Sequence, residues 1–217
     1  MTLGEIVSMV AFISERESKV KKLTASQLNS ILKLVDYDLI KEVYGQPGDP
    51  GGYEQQGQIS ESLLPFKVGP TSIVLTSGLG NLPTDFYHFS DCYYSSGGDT
   101  IRVDLVTSKQ SSVRKENSLT KPTYKHPIVE LFKTQLSITP TSLTSVMLIY
   151  IKRPIPAVYK LKEEYGIQTY DAATSVQTEW GAEKHIDIIR LILKYIGISL
   201  GNQQIIQYVE QKTMAEN

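Results

Sequence analysis

His88 and Cys92 stand four apart in a stretch patterned as a strand, where they share one face and could offer two ligands to zinc. A zinc site needs four, and no second pair stands at metal spacing. The single cysteine also excludes an internal disulfide and fits a reducing compartment. His88 with Asp91 and His185 with Asp187 are acid–base pairs on paper. Neither is accompanied by a Gly-x-Ser-x-Gly elbow or a Cys-His signature that would supply a nucleophile. Gly78-Leu79-Gly80-Asn81-Leu82-Pro83 opens like a phosphate loop but has no Lys-Ser/Thr and no third glycine, and Pro83 falls where a helix should start. A turn before a strand is the better expectation. Glu163-Glu164 beside Lys160 and Lys162 reads as a solvated face, while Asp36 and Asp38, two apart on a helix, diverge. No pair has the support of glycosidase carboxylates. The expectation is therefore no catalytic, cofactor-binding or metal-binding residue, no cofactor, and no enzyme.

Binding chemistry is equally sparse. The basic clusters are Lys19-Lys21-Lys22, Arg114-Lys115 with Lys121 and Lys125, and Lys152-Arg153. Tyr124, between Lys121, Lys125 and His126, comes nearest to the basic-plus-aromatic pattern of a nucleic-acid contact, although a polar loop surface explains it as well. Twenty-two Lys and Arg against 23 Asp and Glu leave a net charge of −1, so no bulk positive field draws the chain to DNA or anionic lipid. Apolar residues at 41% and charged residues at 21% exclude a disordered chain. The aromatic residues are mostly Tyr, 13 against five Phe and one Trp, which suits surfaces that are half buried and half wet. The apolar run Ile6–Ile13 follows Glu5 rather than a basic stretch, and no run approaches the length of a membrane span, so neither secretion nor a membrane anchor is expected.

The elements that must hold these residues follow from periodicity. Thr2-x-x-Glu5 is a capping box before Ile6, Met9, Val10 and Ile13 at helical spacing. Thr24-x-x-Gln27 is another, before Leu28, Ile31, Leu32, Val35, Leu39 and Val43, with Gly45 and Pro47 as stops. Gly45 to Gly57 is too rich in Gly and Pro for helix or central strand. Ile59 to Leu64 has room for one or two helical turns. Strands are expected at 73–75, 88–94, 100–107, 128–132 and 135–139, and a central one at 146–153. Within the 100–107 strand, Ile101, Val103 and Leu105 should share a buried face. Residues 108–117 suit a solvated helical excursion. Beyond Trp180, Ile186, Ile189, Ile192, Leu193 and Ile196 form a third stripe, and Asn202 caps a last helix with Ile205, Ile206 and Val209.

Helices, then strands, then helices argue an α+β fold. The expected arrangement is a bundle of N- and C-terminal helices with a mainly antiparallel β-module inserted. Residues 1–64 hold the first helices and the Gly/Pro-rich loop, 65–159 the β-module, and 160–217 the C-terminal helices packing on the N-terminal ones.

Short patterns spread along the chain resemble virion proteins of tailed phages infecting Bacteroidetes, the crAss-like group included. They are Lys22-Leu23-Thr24-x-x-Gln27-Leu28-Asn29 leading to Asp38-Leu39 and Gly45, Leu82-Pro83-x-Asp85-Phe86, Lys121-Pro122 to Pro127-Ile128, and Ile138-x-Pro140. Tyr150-Ile151-Lys152-Arg153-Pro154-x-Pro156, Gln177-x-Glu179-Trp180 before His185-Ile186-x-Ile188, and Leu193-x-x-Ile196-Gly197 complete them. The chain is similar to head–tail connector or neck ring proteins, in which a helical bundle carries a β-module. The resemblance implies a non-catalytic subunit that forms rings with itself, commonly dodecameric, joining portal to tail in the virion after assembly in the host cytoplasm. Its implied partners are portal and other neck or tail ring proteins, with genomic DNA as a passing contact and no membrane. The competing reading of the residues is an intracellular, non-catalytic protein-interaction module.

Overall fold

The computed structural model describes residues 1–16, 23–44, 61–197, 204, 207 and 208. The Gly45–Gly57 stretch, Lys19-Lys21-Lys22 and most of the expected last helix lie outside them. The fold is α+β and divides into two units, one of Met1–Pro65 with Pro154–Asn217 and one of Phe66–Arg153.

In the first unit, α1 (Leu3–Arg16) starts with the expected reciprocal cap: the Glu5 N–H donates to Thr2 Oγ1 at 3.3 Å, and the Thr2 N–H to Glu5 Oε2 at 2.9 Å. Thr24 and Gln27 repeat it at the head of α2 (Ala25–Tyr44). The apolar stripes Leu3, Ile6, Met9, Val10 and Ile13 on α1, and Leu28, Leu32, Val35, Leu39 and Ile40 on α2, are buried. A third helix, numbered α4 below because it follows α3 of the other unit, spans His185–Tyr195 and packs against both. It buries Ile188, Ile189, Leu191, Ile192 and Leu193, and Gly197 just beyond it takes a left-handed conformation (φ +87°). Each such side chain contributes about 1.5–3 kcal/mol.

Residues 160–217 are not all helical. A hairpin, β9 (Leu161–Glu164) and β10 (Ile167–Tyr170), precedes α4. Both strands are exposed except at Tyr170, so no buried face imposes an apolar alternation on the sequence. Its signal is the turn, where Tyr165 (φ +54°) and Gly166 (φ +77°) take the paired positive angles of a tight two-residue hairpin loop. Tyr170 stacks on Tyr159 with centroids 5.1 Å apart and lies over Gly4 of α1, where a Cβ would come within 2.7 Å of its ring. Asn29 of α2 fixes the base of the hairpin by pairing its amide with both backbone groups of Tyr159, at 2.7 and 3.1 Å.

The second unit is built from two four-stranded sheets that share one core. One sheet runs β1-β8-β3-β4, with β1 Lys67–Val74, β8 Ser145–Lys152, β3 Phe86–Ser96 and β4 Asp99–Arg102. The other runs β2-β7-β6-β5, with β2 Leu79–Asn81, β7 Gln135–Thr139, β6 Ile128–Leu131 and β5 Asp104–Leu105. Cys92, Tyr94, Val146, Leu148 and Tyr150 of the first meet Val129, Leu136 and Ile138 of the second. β8 is paired on both sides, as its apolar run implies. All pairings are antiparallel except β5 with β6. The expected continuous strand 100–107 is instead broken: the chain leaves one sheet after Arg102 and enters the other at Asp104, with buried Val103 as the corner. Leu105 therefore sits on an edge strand and is exposed, contrary to the alternation. α3 (Ser108–Glu116) follows, started by a capping box of Thr107 and Gln110.

Candidate functional site

Among the described residues, the groups singled out in the sequence do not converge. Cys92 is fully buried in the sandwich core, and burial with the adjacent Asp91 carboxylate pushes its thiol up to about 12, which makes it inert as nucleophile or ligand. Two bulges in β3, between Phe86 and His88 and between Phe89 and Asp91, upset the simple alternation, and the His88 ring packs edge-on against Tyr87. Among the described residues no three His, Cys, Asp or Glu side chains are placed to hold a metal ion. Asp91 is paired with Arg102 at 2.9 Å, and Asp187 with Lys184 and Arg190 at 3.4 and 3.5 Å, so both are drawn away from a His-Asp dyad. Burial also holds His185 below its usual range. The Gly78 segment is a turn: Ser77 (φ +53°) and Gly78 (φ +81°) lie between Thr76 and Leu79, which bridge antiparallel where the chain passes from β1 to β2.

Two buried polar groups carry more information. Glu130 on β6 accepts from the Ser111 hydroxyl and from Lys115 Nζ at 3.0 Å, which ties α3 to the sheet. Burial acts to raise its pKa, but these donors outweigh it and hold the carboxyl below the usual range. Asp36 on α2 is 9% exposed. Trp180 Nε1 donates to its Oδ1 at 3.1 Å, and Oδ2 has no hydrogen-bond partner. Burial pushes its pKa up to about 6, against the pull of Trp180 and the Ala157 N–H. The sequence carried this signal, because Asp36 lies four residues from Leu32 and from Ile40 on the buried stripe, whereas Asp38 faces outward to the Tyr195 hydroxyl at 2.6 Å.

Asp36 thus holds its proton more tightly folded than unfolded. Ionising it opposes folding as pH rises from about 3.8 to about 6, and the cost is constant above that. Asp36→Asn should raise unfolding free energy by roughly 3 kcal/mol near pH 8, with almost no effect near pH 3.5. Urea titrations at both pH values check this, and equal effects at both would refute it.

The near-neutral total conceals a separation of charge. Residues 66–153 carry ten Lys and Arg against six Asp and Glu, a net +4, while the other unit carries twelve against seventeen, a net −5. The whole excess of the β unit lies in residues 108–126, where Lys109, Arg114, Lys115, Lys121 and Lys125 face only Glu116, again +4. Arg114 and Lys115 are partly neutralised by Asp104 (3.2 Å) and Glu130; exposed Lys109, Lys121 and Lys125 make no ion pair among the described residues. Tyr124, half exposed in this loop, is held from both ends: its hydroxyl pairs with Ser142, and its carbonyl accepts from the Tyr94 hydroxyl. In the helical unit, residues 160–190 hold Glu163, Glu164, Asp171, Glu179, Glu183 and Asp187 against Lys160, Lys162, Lys184 and Arg190, a net −2. The sequence contained both stretches, but they acquire meaning only once the units are delimited. No protein-family model and no curated protein sequence matches the chain.

Proposed function

We propose that this chain is a structural virion protein, a ring-forming subunit of the head–tail connector or neck that joins portal to tail around the DNA passage. The observation that carries the reading is the insertion architecture. Residues Met1–Pro65 and Pro154–Asn217 form one unit, in which α4 packs against α1 and α2, and the β unit is inserted between these two stretches of chain. That arrangement agrees with the connector-like patterns in the sequence. The scatter of titratable groups among the described residues favours a role exercised through surfaces over one exercised through a reaction. The exposed hairpin β9–β10 adds a second surface, since Tyr165 and Ile167 present apolar area to water beside a strand edge that is unpaired among the described residues.

The test is the native mass of the recombinant protein with and without the portal protein of the same phage, followed by cryo-microscopy of the complex. A ring of copies seated on the portal is expected. A protein that stays monomeric and ignores the portal would overturn the reading.

A further inference from the structure

We propose that the outer edge of β9 and the first turns of α2 form a docking groove for an extended, acidic segment of a partner protein, which adds to β9 as a further strand. The inference goes beyond the ring reading and concerns the helical unit alone. A groove of about 940 Å³ runs there, with Asn29, Ser30 and Lys33 on the α2 side and Tyr159, Lys160 and Leu161 on the strand side. Along an extended chain the main-chain groups alternate in direction. The Lys160 carbonyl turns to the β10 side, where it accepts from the Asp171 N–H at 3.0 Å, so the groups of Tyr159 turn the opposite way. Those of Leu161 and Glu163, further along, share the direction of Tyr159 and point out from the open edge. They find no main-chain partner there among the described residues.

Asn29 already makes the first rung of such a ladder. Its amide pairs with Tyr159 as the peptide groups of a neighbouring strand would: the Tyr159 N–H donates to Oδ1 at 2.7 Å, and Nδ2 donates to the Tyr159 carbonyl at 3.1 Å. An incoming segment takes the next rung at Leu161, about 7 Å along the strand, with α2 as its other wall. Charge then selects the occupant. The lining holds two exposed cations, Lys33 and Lys160, and no carboxylate, and neither lysine makes an ion pair among the described residues. Lys162 and Glu164 neutralise each other at 2.7 Å, and Glu163 stands nearer the tip of the hairpin. A segment with Asp or Glu at its Asn29 end therefore meets cations, while Glu163 disfavours acid at the other end. A phosphate only accepts hydrogen bonds and would leave the Leu161 carbonyl unmatched.

A displayed library of random eight-residue peptides, selected on the wild-type chain, tests the docking. Enrichment of alternating β-branched or aromatic residues with Asp or Glu toward one end is expected. Leu161→Pro deletes an outward N–H and no ladder bond, because Leu161 and Tyr170 oppose each other as a non-hydrogen-bonded pair. By fluorescence anisotropy this variant should bind an enriched peptide roughly tenfold more weakly, the worth of one main-chain hydrogen bond. N-methylation of alternate peptide residues should weaken binding by as much, and it leaves the protein untouched. Lys33→Glu with Lys160→Glu, both at exposed positions, should shift the preference to peptides carrying Lys in place of the acid. Absence of enrichment, or enriched peptides indifferent to N-methylation and to Leu161→Pro, overturns the proposal. Displacement of the peptide by inorganic phosphate, with no effect of Leu161→Pro, would assign the groove to anions and overturn it. Self-association of the wild type that Leu161→Pro abolishes would assign the edge to a second copy and overturn it too.

Discussion

Ile189→Asp is expected to destabilise the helical unit by at least about 4 kcal/mol, lowering its melting temperature by roughly 10–15 °C. Ile189 is fully buried on α4, the helix that touches both α1 and α2. The substitution removes an apolar side chain worth several kcal/mol and places a carboxylate where no partner awaits it. Leu193→Asp, one turn further along and equally buried, should behave alike. Leu34→Asp is the control: Leu34 is 47% exposed on α2, and its replacement should change stability by less than about 0.5 kcal/mol. Thermal melts followed at 222 nm decide the matter. Wild-type curves for Ile189→Asp and Leu193→Asp would mean that the α4 stripe is not a core.

Gly80→Val should be the most damaging change in the β unit, at about 3 kcal/mol or more. A Cβ at Gly80 would lie 2.6 Å from Ile73 Cγ2 and 2.9 Å from a Leu75 methyl, both buried in the core shared by the two sheets. The Val74 carbonyl, 3.2 Å away, blocks retreat in that direction. Gly69→Ala offers the contrast, since nothing lies within 4 Å of its Cβ position and its φ is ordinary. Denaturant titrations should separate the two variants widely. A Gly80→Val protein as stable as Gly69→Ala would show that the sheets do not meet at this point.

These glycines illustrate what could be read beforehand. Gly78 and Gly80 stand out in the sequence as a failed phosphate loop, and a turn was the right inference from Pro83 and the missing lysine. The reason for Gly80, close approach of one strand to another, requires the three-dimensional neighbours. Helices α1 and α2 are legible because caps and stripes agree, with Thr2 and Glu5 and then Thr24 and Gln27 marking the starts, whereas α4 is legible from its stripe alone. The β9–β10 hairpin was not legible, since a doubly exposed strand has no alternation to detect and its Lys-Glu run suits any solvated element. Leu105 was misplaced because local alternation contains no signal that the chain changes sheets at Val103. Asp36 pairs by eye with Asp38, yet its spacing from Leu32 and Ile40 puts it on the buried face. The charge separation was hidden by a total of −1, because a sum over the whole chain erases a division that only the fold defines.

The discontinuity of the helical unit sets an order of events at the ribosome. Translation delivers α1 and α2 first, but their apolar stripes have no α4 to cover them until residues 185–195 emerge. The sandwich, contiguous from Phe66 to Arg153, has all its strands in hand before that moment. Nascent chains should therefore mature from the middle outward. Polypeptides released prematurely after Arg153 should hold a finished sandwich with sticky, unshielded helices, a natural substrate for chaperones that recognise exposed hydrophobic segments.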